Sequence, residues 1–557
     1  MELHSLFASG VLGQDALFAL SELSFSHAEK TNDSTYYMQA AIYAYAFLFP
    51  EDPDSDPDQY DPRLRLACEL YNRGLLTSYL GGDVKKSYNE NSKNGSQENL
   101  TVREVKLPIG TLEIHFDRRQ LTWGDRHFTH FEPVSELQTR GLRTNYRFPG
   151  IGAPFAASTE PISAEENLDR YLSRALKVPV VLFFRFENLH EQLIRGEIET
   201  TAELHVVYDN DSVQIGKRIV PLELEPSASL VYMLSESRFW EFELKHFFSG
   251  GVLGGEPSLT MLSPHKKGRI PIVLVHGTAS SSARWAELVN DLSVDPELRK
   301  HFQIWLFTYN TGNPVSYSAA ELREEIRKAV DYLDPEGKDP ALREMVVIGH
   351  SQGGLLTKMT SISSGTQLWD RVATVPLDEM DLSDESREIL QRNFFVEPVP
   401  EVKRVVFIST PHRGSFISDR RLGRWISTLV KMPRDITELG VDVITRNPEH
   451  LAFTSVESVP SSVDNMRTNS PFLEELVSIP VAPDVASHSI IPVKGDGPYE
   501  EGDDGVVTYK SAHLEDVDSE LVIQPAHHSC QSHPYAIREV RRILLLHLAE
   551  RREAQAQ

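Results

Sequence analysis

The chain has 557 residues, of which 40% are hydrophobic and 25% charged, a composition typical of globular proteins rather than of disorder. At roughly 150 residues per domain this length predicts about two to four domains. The 56 Lys and Arg residues against 81 Asp and Glu residues give a net charge of −25. This acidic balance disfavours nucleic acid as a partner and adsorption to anionic lipid through net charge.

The two cysteines, Cys68 and Cys530, cannot build a disulfide framework, and they form neither a CxxC nor a zinc-binding pattern. The longest apolar run covers residues 40–49 and stops at Pro50, short of the roughly 18 residues of a membrane span. The first residues lack the basic and apolar regions of a signal peptide. We therefore expect a cytoplasmic protein.

Residues 1–82 are predicted to be a helical segment. Apolar residues recur at helical spacing over Asp15–Lys30, Tyr36–Phe49 and Arg63–Leu80. Small alanines beside large aromatic residues favour close helix–helix packing. No repeat of fixed period is present, so a helical hairpin core is favoured over a tetratricopeptide-like array.

Residues 100–265 are predicted to be a β-rich domain that follows a polar linker at 81–99. The period of the apolar residues changes towards two, as in the alternating stretch 112–116. Runs of β-branched and aromatic residues cover 178–186 and 202–208, and 214–230 is predicted to be a pair of short strands. Nothing in this half of the sequence indicates which protein partner it would bind.

Residues 266–557 are predicted to form an α/β domain. Short apolar strands alternate with helices from here on, and the predicted strands are 270–275, 302–308, 345–348, 405–409, 489–493 and 519–524. Continuous apolar strands separated by helices indicate a mostly parallel, doubly wound sheet covered on both faces. The last helix is predicted from Pro534 to Leu548.

The sequence Gly349-His350-Ser351-Gln352-Gly353 fits the pattern G-x-S-x-G between a predicted strand and a predicted helix. A tight, strained turn from strand to helix needs small residues around the serine. In such a turn the hydroxyl of Ser351 is held above the sheet, as a nucleophile requires. Ser351 is therefore the candidate nucleophile.

A serine nucleophile needs a histidine base, which an acid orients, and in this motif's fold the chain order is serine, acid, histidine. The base belongs in the loop between the last predicted strand and helix, which contains His527, His528 and His533. His528 is favoured, His527 is the close second, and His533 precedes Pro534 in a capping position.

The acid is expected after the preceding strand, where the candidates are Asp496, Asp503 and Asp504. Asp504 is favoured because glycine and two apolar residues follow it, so its carboxylate can point inward while the chain re-enters the core. Asp496 lies nearest the end of the strand and stays open.

Two backbone N–H groups should stabilise the oxyanion of an acyl-transfer reaction. One is expected from Gln352, directly after the nucleophile. The other is expected from Thr278, in the His276-Gly277-Thr278 loop after the first strand of this domain.

Residues of about 268–550 resemble the α/β-hydrolase superfamily on its lipase and esterase side. The resemblance rests on the His-Gly loop, the G-x-S-x-G turn and the loop after Asp504. Residues 410–415 read Thr-Pro-His-Arg-Gly-Ser, similar to a loop of lipases and of GPI inositol-deacylase-like hydrolases. His412 in this loop lies before the acid in the chain and is not expected to be the base. The resemblance implies ester hydrolysis through an acyl-enzyme, without a metal or organic cofactor.

The sequence thus predicts a serine carboxylic-ester hydrolase acting on an ester or a lipid-like small molecule. A thioesterase or acyltransferase would use the same residues, and an amidase or peptidase is a further alternative. An alternative of a different class is an interaction protein whose N-terminal half binds a partner.

Residues 416–450 interrupt the sheet pattern, with apolar residues among Arg420, Arg421, Arg424 and Lys431, and are predicted to be a cap or lid. A cap packed on the domain is favoured over one that docks on lipid, which would give peripheral membrane contact.

Overall fold

The computed structural model describes residues 2–11, 13–52, 55–80, 100–117, 121–137, 141–162, 170–173, 176–236, 257–278, 280–416, 442–443, 445–447, 449–451, 466–468 and 470–556. The chain divides into two compact units, Met1–Asp169 with Ala175–Met233, and Arg170–Arg174 with Leu234–Gln557. We refer to them as the N-terminal unit and the C-terminal unit, and each is described by itself.

The N-terminal unit begins with helices at the predicted positions. Its helices are α1 (Glu2–Ala8), α2 (Asp15–Thr31), α3 (Ser34–Leu48), α4 (Arg63–Leu80), α5 (Leu189–Arg195) and the start of α6 (Pro226–Glu236). The carboxylate of Asp33 caps α3 by accepting a bond of 3.0 Å from the Thr35 N–H. A Cβ at Gly74 would lie 2.7 Å from the Tyr37 carbonyl oxygen, so α3 and α4 approach as closely as the small residues allow.

The N-terminal unit also contains a seven-stranded sheet. Its strands are β1 (Leu100–Leu107), β2 (Gly110–Asp117), β3 (Thr122–Trp123), β4 (Arg126–Pro133), β5 (Ala153–Pro161), β6 (Lys177–Arg185) and β7 (Glu197–Val206). Its order is β1-β2-β7-β6-β5-β4-β3. In this sheet β2 and β7 run parallel, and the other neighbours pair antiparallel. This confirms the predicted β-rich character.

One stretch differs from the prediction of two strands over 214–230. Strands β8 (Ser212–Ile215) and β9 (Arg218–Pro221) form a hairpin, but α6 then begins at Pro226. Proline is well suited to the first turn of a helix, because its missing N–H has no intrahelical partner there. The predicted pair of strands is therefore present, but it ends at Pro221, and the prediction is wrong for residues 226–230.

The C-terminal unit is built on a second seven-stranded sheet. Its strands are β10 (Ser258–Met261), β11 (Ile270–Val275), β12 (Phe302–Thr308), β13 (Met345–His350), β14 (Val402–Ile408), β15 (Ala486–Pro492) and β16 (Ser519–Ile523). The order is β10-β12-β11-β13-β14-β15-β16. Only β10 pairs antiparallel in this sheet, which confirms the mostly parallel sheet.

Helices connect these strands, as a parallel sheet requires. They are α7 (Ala286–Val294), α8 (Pro296–His301), α9 (Val315–Leu333), α10 (Gln352–Lys358), α11 (Asp384–Phe394), α12 (Pro471–Ser478), α13 (Tyr509–Ala512) and α14 (Pro534–Ala556). Every residue of β11 and β13 is buried, which agrees with their mostly apolar sequences. Among the described helices of the chain, none is both long and apolar enough to cross a membrane.

The boundary between the units differs from the predicted division at 265/266. Strand β10 lies inside the predicted β-rich domain of 100–265, but it pairs with β12 at the edge of the sheet of the C-terminal unit. The division therefore falls near Met233, and residues 1–82 share one unit with the first sheet. The polar linker at 81–99 and most of the predicted cap at 416–450 lie outside the described residues.

Candidate active site

Ser351 lies at the sharp turn between β13 and α10. Its backbone has φ 54° and ψ −124°, a conformation that a residue with a side chain rarely adopts. Such strain costs about 1–3 kcal/mol and is typical of functional sites. The turn places Ser351 at the carboxyl end of a central strand, where the ligands of open parallel α/β sheets bind.

The glycines of the motif are required by close backbone contacts. A Cβ at Gly349 would lie 2.3 Å from the Gly353 carbonyl oxygen, and one at Gly353 would lie 2.3 Å from the Val275 carbonyl oxygen. Neither contact is with a flexible side chain, so a larger residue would force α10 away from the sheet. This is the physical reason for the spacing of small residues around Ser351.

His528 stands between the serine and an aspartate. Its Nε2 lies 2.9 Å from the Ser351 Oγ, and its Nδ1 lies 2.7 Å from the Asp504 Oδ2. With Nδ1 protonated and bonded to the carboxylate, Nε2 is free to accept the serine proton. The arrangement has the geometry of a nucleophile, a general base and an orienting acid.

Asp504 is held rigidly below the imidazole. The side chain is buried, and its Oδ1 accepts bonds of 2.8 and 2.7 Å from the Val506 and Val507 N–H groups. Gly505 has φ 95°, which lets the chain turn back so that both N–H groups point at the carboxylate. One oxygen is thus satisfied by backbone, and the other faces His528.

The structure places the other candidates elsewhere. His527 and Asp496 are exposed. The Asp503 Oδ1 accepts a bond of 2.6 Å from the Gly505 N–H, so this residue shapes the turn. The His533 Nδ1 accepts a bond of 3.2 Å from the Tyr535 N–H at the start of α14, a capping contact. His412 is buried edge-on against Phe407, with their ring centroids 4.9 Å apart.

The His-Gly loop after β11 lies against the nucleophile. A Cβ at Gly277 would be 2.8 Å from the Ser351 Cβ, so only glycine permits this approach. The Thr278 Oγ1 donates a bond of 2.7 Å to the Gln352 Oε1. The two residues predicted to provide oxyanion N–H groups are therefore linked by their side chains.

Two buried histidines surround the serine without charge at neutral pH. Burial lowers the pKa of His350 to about 3, and the nearby His528 adds to this effect. Burial lowers the pKa of His276 to about 4. The ring of His276 stacks on Tyr309, with centroids 4.7 Å apart. Of these three histidines, His528 is the one that contacts both the Ser351 hydroxyl and the Asp504 carboxylate.

Among the described residues, no three His, Cys, Asp or Glu side chains converge as metal ligands would.

Sequence reasoning missed two residues of this site. The His350 Nε2 and the Ser409 Oγ each lie 2.9 Å from the His528 carbonyl oxygen. His350 carries a signal, since it is inside the G-x-S-x-G motif. Ser409 follows the end of β14 and carries none, because its contact depends on which strand neighbours β13 in the sheet.

Residues 272–537 match the model of the Alpha/beta hydrolase family. This part of the chain is an α/β-hydrolase domain, as the sequence predicts. A comparison with curated proteins finds no match to this chain.

Solved structures of similar domains include the mature lipase BlEst2 of Bacillus licheniformis. It is 16% identical, with a TM-score of 0.31, over 52% of this chain and 99% of that chain. The butyrate-bound esterase Est2 of Thermogutta terrifontis is 12% identical, with a TM-score of 0.27, over 53% of this chain and 90% of that chain. A hydrolase of Pseudomonas aeruginosa is 14% identical, with a TM-score of 0.27, over 52% and 94%. The family match carries the assignment.

Proposed function

We propose that this protein is a serine hydrolase of carboxylic esters that works through an acyl-enzyme. The observation that carries the proposal is the continuous contact from Asp504 through His528 to Ser351, with distances of 2.7 and 2.9 Å. The strained turn at Ser351 adds support, because it holds the hydroxyl at the edge of the sheet where substrates of this fold bind.

In the first half of the reaction, the Ser351 Oγ attacks the ester carbonyl carbon while His528 Nε2 takes the hydroxyl proton. The imidazolium that forms is stabilised by the buried carboxylate of Asp504. Collapse of the tetrahedral intermediate breaks the bond to the alcohol oxygen. His528 gives its proton to that oxygen, and the alcohol leaves.

In the second half, water attacks the acyl-serine ester. His528 accepts one proton of this water, and the second tetrahedral intermediate expels the Ser351 oxygen, which takes the proton back. One ester and one water thus yield one acid and one alcohol, and the enzyme is regenerated.

Both intermediates carry a negative oxygen, and we assign its stabilisation to the N–H groups of Gln352 and Thr278. The Gln352 N–H is at the start of α10, where a helix has no internal acceptor for it. The bond of 2.7 Å between the Thr278 Oγ1 and the Gln352 Oε1 would keep the two donors together. Preorganised donors of this kind are each worth about 10²- to 10³-fold in rate.

The substrate class we propose is an ester or lipid-like small molecule. Turnover of p-nitrophenyl esters with acyl chains of increasing length would test the class and define the chain preference. The matching thioesters should be assayed in parallel, since they use the same residues with a different leaving group. Turnover of thioesters alone would replace the proposal with a thioesterase.

The decisive variant is Ser351→Ala, with Ser363→Ala, an exposed serine in the same unit, as the control. We expect Ser351→Ala to lose at least about 10⁴-fold in kcat and all labelling by a fluorophosphonate probe. The control should keep both, and circular dichroism should show the same fold for all proteins. Retained turnover or labelling in Ser351→Ala would overturn the assignment of the nucleophile.

A further inference from the structure

The main-chain carbonyl of His528 is bound by two side chains that the reaction itself does not use. The His350 Nε2 and the Ser409 Oγ each donate to this oxygen over 2.9 Å. His350 is the last residue of β13, and Ser409 directly follows β14, the neighbouring strand. Two strand ends therefore hold the backbone of the proposed base.

His350 is suited to this contact because it is buried next to the reacting groups. It immediately precedes Ser351, and its ring centroid lies 5.1 Å from that of His528. A carbonyl oxygen can only accept, so the Nε2 of His350 must carry the proton. A Cβ at Gly277 would come 3.0 Å from the His350 Nδ1, so the loop confines the ring on its other side.

Ser409 is held in a backbone conformation that favours glycine. Its φ is 53°, and its side chain is buried. Its N–H donates a bond of 3.0 Å to the Ile490 carbonyl oxygen in β15, which fixes the turn. A strained residue with a side chain persists only where the surrounding structure enforces it, and such outliers cluster at functional sites.

The amide of His528 is also bound. Its N–H donates a bond of 3.2 Å to the main-chain carbonyl oxygen of Asp504, the residue whose carboxylate orients the imidazole. Both polar groups of the His528 backbone are thus tied to residues beside the nucleophile or to the acid itself. An imidazole anchored in this way has little freedom to move away from the serine.

We propose that His350 and Ser409 are positioning residues that clamp the His528 carbonyl and so hold its Nε2 at 2.9 Å from the Ser351 Oγ. This inference rests on the proposed function, because it concerns the base of that reaction. Neither residue contacts the reacting atoms through its side chain in this role. Loss of either donor would let the loop shift, and small displacements of a base are costly in rate.

The kinetic test compares His350→Leu, which removes the donor, with His350→Gln, which keeps an N–H at a similar reach. Ser409→Ala removes the second donor independently. We expect kcat on a p-nitrophenyl ester to fall about tenfold in His350→Leu and in Ser409→Ala. KM should stay within about twofold, and His350→Gln should keep most of the wild-type kcat.

A spectroscopic test needs no substrate. The proton on His528 Nδ1, bonded to Asp504, should give a far-downfield proton NMR signal that disappears in His528→Ala. We expect this signal to shift or broaden in His350→Leu and Ser409→Ala and to persist in His350→Gln.

If His350→Leu and Ser409→Ala fold and show unchanged kcat and an unchanged signal, the clamp is overturned. The same holds if their melting temperature falls while kcat and the signal stay the same. If one donor-removing variant does not fold, the other decides. If the signal responds but the wild type hydrolyses no ester, the clamp stands and the proposed function fails.

Discussion

The two seven-stranded sheets of this protein place their strand ends differently. In the N-terminal unit, neighbouring strands are mostly antiparallel, so successive ends point to opposite edges. In the C-terminal unit, the six strands β11 to β16 run parallel, and their carboxyl ends meet at one edge. Gly277, Ser351, Ser409 and the loops of Asp504 and His528 all follow such ends.

This difference shows how strand direction concentrates chemistry. A parallel sheet brings residues that are 177 positions apart, such as Ser351 and His528, to one edge. In the N-terminal unit, a buried polar group of comparable precision supports packing instead. The Tyr71 hydroxyl donates to the Phe184 carbonyl oxygen and accepts from the Phe184 N–H, both over 2.8 Å, which ties α4 to β6.

The largest expected effect is a loss of activity without a loss of stability, and it should come from Asp504→Asn in the C-terminal unit. An amide can bond His528 in the wrong tautomer, which leaves Nε2 protonated and unable to accept from Ser351. We expect kcat to fall about 10³- to 10⁴-fold, while the melting temperature changes little. Steady-state kinetics with Asp496→Asn as the matched control checks this. Equal loss in both variants would contradict the assignment of Asp504.

The next effect concerns close packing at the turn. Gly353→Ala places a Cβ 2.3 Å from the Val275 carbonyl oxygen, so we expect a loss of about 3 kcal/mol in the free energy of unfolding, together with lost activity. Gly216→Ala in the N-terminal unit is the comparison, because φ is 57° but no atom lies within 4 Å. It should cost only about 1 kcal/mol. Denaturant unfolding of both proteins measures the difference, and similar losses would show that strain rather than contact dominates.

Tyr71→Phe tests the N-terminal unit directly. It removes the hydroxyl and leaves the Phe184 N–H and carbonyl oxygen buried without that partner, so we expect a loss of about 2 kcal/mol in stability. The kcat on esters should be unchanged, because Tyr71 belongs to the unit without the serine. Calorimetry combined with an ester assay checks both parts. A large fall in kcat with the fold intact would contradict the inference that the N-terminal unit contributes nothing to ester hydrolysis through Tyr71.

The smallest expected effect is a pH dependence of stability. Burial lowers the pKa of His350 to about 3, whereas an unfolded histidine titrates near about 6.5. Between these values the unfolded chain binds more protons, so stability falls as the pH falls below about 6.5. From pH 7 to 5.5 this histidine should contribute a loss of about 1.2 kcal/mol. His350→Gln should show a shallower fall in the same range, and equal slopes would contradict the burial effect.

Much of the C-terminal unit was predictable because its elements have strong local signals. Strand β11 is an uninterrupted apolar run, β13 is apolar from Met345 to Ile348, and the predicted helix after Ser351 is where α10 begins. The predicted domain boundary and the predicted extent of one pair of strands were wrong, because the assignment of these residues depends on contacts with distant parts of the chain. The predicted β-rich domain extends to residue 265, but residues 258–261 form a strand that pairs with β12 and so belongs to the sheet of the C-terminal unit. Residues 226–230 read Pro-Ser-Ala-Ser-Leu, and their alternating polar and apolar side chains do not show the helix that begins at Pro226.

By itself, the sequence determined the class of site. G-x-S-x-G is readable because a serine at φ 54° needs small residues at fixed distances, and the order of serine, aspartate and histidine follows the order of the strands. It favoured His528 over His527 but did not decide between them, because adjacent residues share most local signals. Only the tertiary structure decides which ring faces the serine, which carboxylate is buried below it, and which side chains bind the carbonyl of His528. These contacts join strand ends far apart in the chain, and sheet order, rather than any local pattern, brings them together.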